Sequence, residues 1–218
     1  RGPGLSRVKV LMMNSLLAAI TCQCSGGDTL AQNVGAASDH AESPFVVYRL
    51  NAITNSRTLP DSFPTVPGKA GGDLTLIGCR DEYESASFAV YARQELQNLR
   101  LEISDLRSGD RVLPKSSFDP YVVKCWYQAG RDVMFHDGVM RLVPELLLKD
   151  DALVKVDTEN ETNSVRSTAE DGSTRYLAAS GKAPEALEDL RPIDAAKLQP
   201  VTIPSRTVKQ FWLTLHIP

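Results

Sequence analysis

Carboxylates are the most plentiful side chains in this sequence that could do chemistry, since it holds 27 Asp and Glu residues. A glycoside hydrolase needs two of them, one as the acid and one as the base or nucleophile. The candidates are Asp81, Glu82 and Glu84 before a predicted strand, Glu145 in an apolar setting, and Asp150 with Asp151. Acids before a strand, in a turn or on a short surface helix are ordinarily solvated or ion-paired. We therefore expect none of these carboxylates to be catalytic.

Motifs of other enzyme classes are missing from the sequence. It contains no HExxH, no paired CxxC, no glycine-rich phosphate loop and no G-x-S-x-G. His40, His136 and His216 are far apart and lack the spacing of metal ligands. We therefore predict no catalytic, cofactor-binding or metal-binding residue in these 218 residues.

Aromatic side chains offer a second route to carbohydrate, because flat rings stack on the faces of sugars. The candidates for such contact are Trp126, Tyr127 and Trp212. Each lies in an alternating segment in which one residue in two faces the core, so packing competes with binding as the explanation for these residues.

Composition narrows the class of protein. A chain with 42% hydrophobic and 23% charged residues is within the range of ordinary folded domains. Collagen, low-complexity disorder and a polytopic membrane protein are thereby excluded. The net charge of -3 provides no excess of positive charge with which to neutralise a phosphate backbone, so we expect no nucleic-acid partner.

The N-terminal residues have the pattern of an export signal. Arg7 and Lys9 precede a mostly apolar run over residues 10–21, which is too short for a transmembrane span. We predict a signal peptide over residues 1–31 that directs the protein to the periplasm, cell surface or medium. Cleavage after Ala37 fits about as well as cleavage after Ala31. A lipid anchor on Cys22 is the minority alternative, and a buried helix over residues 10–21 is the alternative to export.

Export would leave two cysteines, Cys79 and Cys125, in the mature chain. They could form a disulfide in an oxidising compartment, or they could be small buried residues in separate strands. The sequence leaves the choice open, because it does not show the distance between their Cα atoms.

Period-two alternation dominates the rest of the chain after a polar linker at residues 32–44. It is clearest in residues 87–92, 99–103 and 210–217. This pattern predicts an all-β fold, an antiparallel β-sandwich of immunoglobulin-like or jelly-roll-like type over residues 45–218. We expect its core to include Phe88, Val90, Leu99, Leu101, Phe211, Leu213 and Leu215. Residues 143–149 and 185–198 could each hold a short helix.

Three segments in order resemble a known group of proteins. They are residues 80–90 (RDEYESASFAV), residues 126–130 (WYQAG) followed by 142–151 (LVPELLLKDD), and residues 198–218, which end in FWLTLHIP. These segments resemble the N-terminal β-sandwich region of secreted bacterial glycoside-hydrolase-like proteins, including those similar to glycoside hydrolase family 123, the β-N-acetylgalactosaminidases.

The resemblance implies a fragment that stops before its catalytic domain. In that group a barrel-like domain carrying the acid pair follows, so no catalytic residue transfers to a position in this chain. The implied function is that of a non-catalytic accessory domain of an exported glycoside hydrolase, with the C-terminal catalytic domain of the same chain as its partner. The alternative is a stand-alone secreted β-sandwich that binds carbohydrate or protein. The resemblance does not indicate the glycan or its linkage.

Overall fold

A computed structural model describes residues 8–11, 18–23, 29–33, 43–71, 73–108, 110–129, 139–179 and 191–218. The fold is all-β and sandwich-like, with antiparallel strand pairing, which confirms the predicted fold class. The strands are β1 (Val8–Leu11), β2 (Ala18–Gln23), β3 (Thr29–Asn33), β4 (Phe45–Leu50), β5 (Gly68–Ala70), β6 (Thr75–Gly78), β7 (Glu82–Ala92), β8 (Leu96–Ile103), β9 (Leu106–Ser108), β10 (Arg111–Leu113), β11 (Phe118–Ala129), β12 (Met140–Leu148), β13 (Val154–Asp157), β14 (Thr162–Thr168), β15 (Thr174–Ala178), β16 (Val201–Ile203) and β17 (Val208–Ile217).

The chain divides into two compact units. Unit 1 comprises residues 1–121 and 200–218, and unit 2 comprises residues 122–199. Helical structure in the described ranges is confined to two single 3-10 turns, Lys115–Ser117 and Asp151–Leu153. No helix of the described residues is long and apolar enough to cross a membrane.

The main sheet of unit 1 has the strand order β17-β7-β4-β5. β7 and β17 pair without a register shift from Val208↔Tyr91 to Ile217↔Glu82. Alternate residues on these strands face the core, as the period of two requires. The predicted core residues Phe88, Val90, Leu99, Phe211, Leu213 and Leu215 are all buried. Leu101, also predicted to be buried, is only partly so.

The opposite face of this sheet is covered as well. A second buried cluster lies on this face and includes Val66, from the irregular segment between β4 and β5. Its other members are Val46, Leu50, Ala89, Tyr91 and Val208. The ring of Phe63, from the same segment, stacks on Tyr91 with 3.8 Å between the ring centroids. This segment therefore buries a face that the strands alone would expose to water.

The N-terminal strands pair within unit 1. β2 lies between β8 and β3 in a four-stranded sheet that ends in β16, and β1 pairs with β6. The buried helix that was the alternative to an export signal is therefore wrong for residues 18–21, which are part of β2. Cleavage of a signal peptide stays a prediction. Residues 34–42 of the predicted linker lie outside the described residues.

Unit 2 contains the β11–β12 pair and a three-stranded sheet of order β13-β14-β15. The helix predicted over residues 143–149 is wrong, because residues 143–148 belong to β12, whose backbone groups bond to β11. Pro144 is compatible with this strand because it sits at a register shift, where a ladder donor is not needed.

The second predicted helix, over residues 185–198, is also wrong where the structure describes it. Residues 191–198 are extended or bent, while residues 185–190 lie outside the described ranges. Asp194 holds this segment to the end of β12, since its carboxylate accepts bonds from the backbone N–H groups of Lys149 (2.7 Å) and Asp150 (2.9 Å). These two bonds tie the extended segment to the residues that follow β12.

Candidate functional site

Trp126 belongs to a polar and aromatic cluster on the β11–β12 pair of unit 2. Its indole Nε1–H donates to Glu145 Oε2 at 2.8 Å. The side-chain amide of Gln128 donates to the same oxygen. Gln128 is two residues from Trp126 on β11, so both side chains project from one face of the strand. We call these three side chains, Trp126, Gln128 and Glu145, the Trp126 surface.

A β-bulge places Glu145 in this surface. Lys124 pairs with Leu146 and Cys125 pairs with Pro144, so Glu145 is the extra residue between the two pairs. A bulge bends its strand and changes the direction of the side chain at that point. Glu145 is exposed, whereas Trp126 and Gln128 are partly buried. The irregularity therefore brings an accessible carboxylate to an indole and an amide.

Tyr127 is positioned through its backbone. The Tyr127 N–H donates to Asn163 Oδ1 at 2.9 Å, and Asn163 Nδ2 donates to the Tyr127 carbonyl at 2.7 Å. Asn163 is only 2% exposed, so this pair of bonds is shielded from water. Tyr127 faces away from its neighbour Trp126 along the strand, and it therefore lies outside the Trp126 surface.

Trp212, the third predicted contact residue, is partly buried in β17 of unit 1. It stands opposite Ser87, which is fully buried. Ser87 Oγ donates to the Phe211 carbonyl at 2.9 Å and accepts from Gln210 Nε2 at 2.9 Å. These surroundings indicate packing on the second face of the sheet more than ligand contact.

The acids at residues 150 and 151 have structural partners in unit 2. Asp150 accepts a bond from the Ala152 N–H at the start of a 3-10 turn and forms a 2.8 Å salt bridge with Arg166. The hydrogen bond that Arg166 donates to the Asp150 carboxylate raises the pKa of Arg166 above its ordinary value. Asp151 lies 3.2 Å from Lys124 Nζ. Both carboxylates therefore stabilise the turn that follows β12.

A second aromatic cluster lies in unit 1, and the sequence patterns did not indicate it. The Tyr83 ring stacks on His216 with 4.6 Å between centroids and 25° between planes. His216 Nε2 lies 3.2 Å from Asp81 Oδ1. Tyr83 is 71% exposed, so it is more accessible than any of the three aromatic residues that the sequence suggested. We call Tyr83, His216 and Asp81 the Tyr83 surface.

The cysteines and acids of the described chain show no metal-binding arrangement. Within the ranges given above, no group of three or more His, Cys, Asp or Glu side chains could hold a metal ion. Cys79 and Cys125 are each partly buried, and a disulfide between them stays one of the two alternatives that the sequence offers. Glu82 accepts the Cys79 N–H at 2.7 Å and thereby closes the turn before β7.

No protein-family model and no curated protein matches this sequence.

Proposed function

We propose that this chain is a non-catalytic accessory β-sandwich of an exported carbohydrate-degrading enzyme and that it contacts glycan through the Trp126 surface. The observation that carries the proposal is the convergence of Trp126 and Gln128 on the exposed carboxylate of Glu145. Aromatic rings stack on the apolar faces of sugar rings, and amide and carboxylate groups form hydrogen bonds with sugar hydroxyls.

The hydrogen bonds within the surface use one of the two carboxylate oxygens of Glu145. Both donors, from Trp126 and Gln128, reach Oε2 of Glu145, and no other hydrogen bond to Glu145 involves the described residues. Oε1 can therefore accept a bond from a sugar hydroxyl without breaking a bond among the described residues.

The proposed catalytic partner is a C-terminal domain of the same chain, as the resemblance to family 123-like proteins implies. The accessory domain would orient that module and hold the glycan near it. A stand-alone secreted β-sandwich that binds carbohydrate or protein is the alternative. The reading frame after residue 218 distinguishes the two, since only the accessory role requires a catalytic domain there.

Glycan binding tests the Trp126 surface directly. We would titrate the chain with soluble oligosaccharides, including ones that end in N-acetylgalactosamine, and follow binding by calorimetry. We expect Trp126→Ala to weaken binding about tenfold or more, since a buried aromatic anchor contributes at least about 1.4 kcal/mol. Leu147→Ala is the matched control, because Leu147 is a 43% exposed residue of the same strand as Glu145. Equal affinities for the two variants would refute the proposal.

A hydrolysis assay tests the proposal that the chain is not catalytic. We expect no turnover of aryl glycosides, including aryl N-acetylgalactosaminides, by these 218 residues. Turnover that disappears in Glu145→Gln would overturn this expectation, because that variant keeps the size of the side chain and removes its acid–base function.

N-terminal sequencing of the protein recovered from an exporting bacterial host tests the localisation. We expect a mature chain that begins at residue 32 or residue 38. Recovery of unprocessed chain in the cytosol would refute export and leave the binding proposal to be judged by the titration.

A further inference from the structure

The Tyr83 surface offers an aromatic ring with one face supported and the other in water. His216 covers one face of the ring, and the side chain is nevertheless 71% exposed. The solvent exposure must therefore come mainly from the opposite face and the ring edges. A rigid aromatic ring with an open face loses little side-chain entropy when a ligand binds to it.

The backbone places the three residues of the Tyr83 surface next to one another. Tyr83 and His216 are directly opposite each other on β7 and β17, so their side chains share one face of the sheet. Asp81 adopts a left-handed conformation (φ 64) just before β7. Its N–H donates to the Ile217 carbonyl at 2.6 Å, which ties the turn back to β17 beside His216. Strand pairing and this turn therefore fix the backbone positions of the three residues.

The carboxylate beside the ring indicates what kind of ligand fits. The Asp81 side chain is 89% exposed, and its Oδ1 atom lies near His216 Nε2. Its other oxygen, Oδ2, can accept bonds from a molecule stacked on Tyr83. A pyranose combines these features, because its axial C–H groups form an apolar face and its hydroxyls at the rim donate hydrogen bonds.

We propose that Tyr83, His216 and Asp81 form a second carbohydrate-binding site, in unit 1, that takes a single neutral pyranose ring. The residues next to Tyr83 in the chain favour a small ligand over a protein partner. Arg80, Asp81 and Glu82 are all exposed and charged. A stable protein interface buries about 800 Å² on each partner and depletes charge at its centre, and one ring flanked by charges does not meet that requirement. The ligand class rests on the proposed function, but the residues are independent of the Trp126 surface.

Local NMR signals separate this site from the Trp126 surface. We would titrate the full chain with methyl β-glucopyranoside and with the methyl β-glycoside of N-acetylgalactosamine. We expect saturable shifts of the backbone amides of Tyr83 and His216. The indole N–H of Trp126 reports the other surface in the same spectra. Shifts confined to Trp126 would overturn this proposal and leave the proposed function standing. Shifts confined to Tyr83 and His216 would support it and would count against glycan contact at Trp126.

Variants identify the groups that bind. We expect Tyr83→Ala to raise the dissociation constant at this site about tenfold or more, and Asp81→Ala to raise it several-fold. Tyr83→Phe keeps the ring and should change the constant less than about twofold, which also shows that the fold tolerates substitution at this position. Phe63→Ala is the matched control, since Phe63 is 42% exposed and stacks on Tyr91 in the same unit. Unchanged affinity in Tyr83→Ala, or an equal loss in Phe63→Ala, would overturn the proposal.

Discussion

The β7–β17 pair of unit 1 and the β11–β12 pair of unit 2 are both antiparallel, but the first is regular and the second contains a bulge. β7 and β17 keep one register over their whole paired length, and alternate residues of β17 are buried. β11 and β12 shift register between Lys124 and Cys125, and most of β12 is partly buried or exposed. The regular pair contributes core, whereas the irregular pair presents polar side chains to water.

This difference shows where stability and binding are separated in the molecule. A regular pair maximises the burial of one face, because a slip by one residue would turn every core side chain to the other face. A bulge gives up one pairing position and gains a side chain in a new direction. Glu145 occupies that position, and we therefore expect it to contribute to binding and little to stability.

The largest expected effect is on the regular pair. Phe211 is buried and lies 5.2 Å from the Phe88 ring, centroid to centroid. We expect Phe211→Ala to lower the free energy of unfolding by about 3–5 kcal/mol, through lost burial and the cavity that remains. Urea denaturation followed by circular dichroism measures it. Leu147→Ala, on the exposed part of β12, should cost less than about 1 kcal/mol. Similar losses in the two variants would contradict the comparison.

The next effect concerns the hydrogen bonds that hold β11 of the irregular pair to Asn163. Asn163→Ala removes both bonds to the Tyr127 backbone and leaves its N–H and carbonyl without those partners. We expect a loss of about 2 kcal/mol, since two hydrogen bonds are removed and each contributes about 1 kcal/mol. Asn160→Ala, at an exposed turn position, is the control, and we expect a loss below about 1 kcal/mol. If the order of the two losses is reversed, the Asn163–Tyr127 bonds are not what holds this part of β11.

A smaller effect is expected at the turn after β12. Asp150→Ala removes the 2.8 Å salt bridge to Arg166 and the bond to the Ala152 N–H. Because both side chains are partly exposed, we expect a loss of about 1 kcal/mol. The raised pKa of Arg166 in the folded state follows from this contact. High salt should reduce the difference between wild type and variant, since it screens the charge–charge part. A difference that does not depend on salt would assign the effect to the turn alone.

The smallest effect is a dependence on pH in the hairpin turns of unit 2. Hydrogen bonds from Asn160 lower the pKa of Asp157, and those from Ser173 lower the pKa of Asp171, both below the ordinary value of 3.8. A carboxyl whose pKa is lower in the folded state stabilises the fold when it is ionised. This contribution is complete above the unfolded pKa and is lost as the pH falls through the folded pKa.

Urea midpoints measured from pH 5 down to pH 2 check this dependence. We expect Asp157→Asn and Asp171→Asn each to lose part of the acid sensitivity of the wild type. Glu159→Gln is the control, because Glu159 is exposed in one of these turns. If the midpoint of a variant falls with acid as steeply as that of the wild type, its turn does not contribute to the pH dependence of stability.

Much of the fold follows from alternation in the sequence. Residues 87–92 and 210–217 were predicted as strands with one buried face, and the structure confirms both strands and their core residues. The single buried face is wrong for residues 87–92, which are buried on both faces. Residues 143–149 were misassigned to a helix, because a short run of apolar residues next to a proline suits either structure until its hydrogen-bond partner is known. β11 is that partner, and the identity of a partner strand is not a local property.

The two candidate surfaces could be predicted from the sequence only in part. The sequence identified Trp126 as an aromatic candidate and Glu145 as a notable acid, but only the bulge between them makes them neighbours. The Tyr83 surface was missed, because 135 positions separate Asp81 from His216 along the chain and no spacing rule reaches that far.

What the sequence determined by itself was the all-β class, the strands with strict alternation and the residues of the main core, since each depends on a period of two along a short segment. Tertiary structure alone decided the pairing of β11 with β12, the direction of Glu145, and the meeting of Tyr83, His216 and Asp81. These features depend on register between distant strands, which is set by the burial of whole faces and the satisfaction of backbone hydrogen bonds across the sheet.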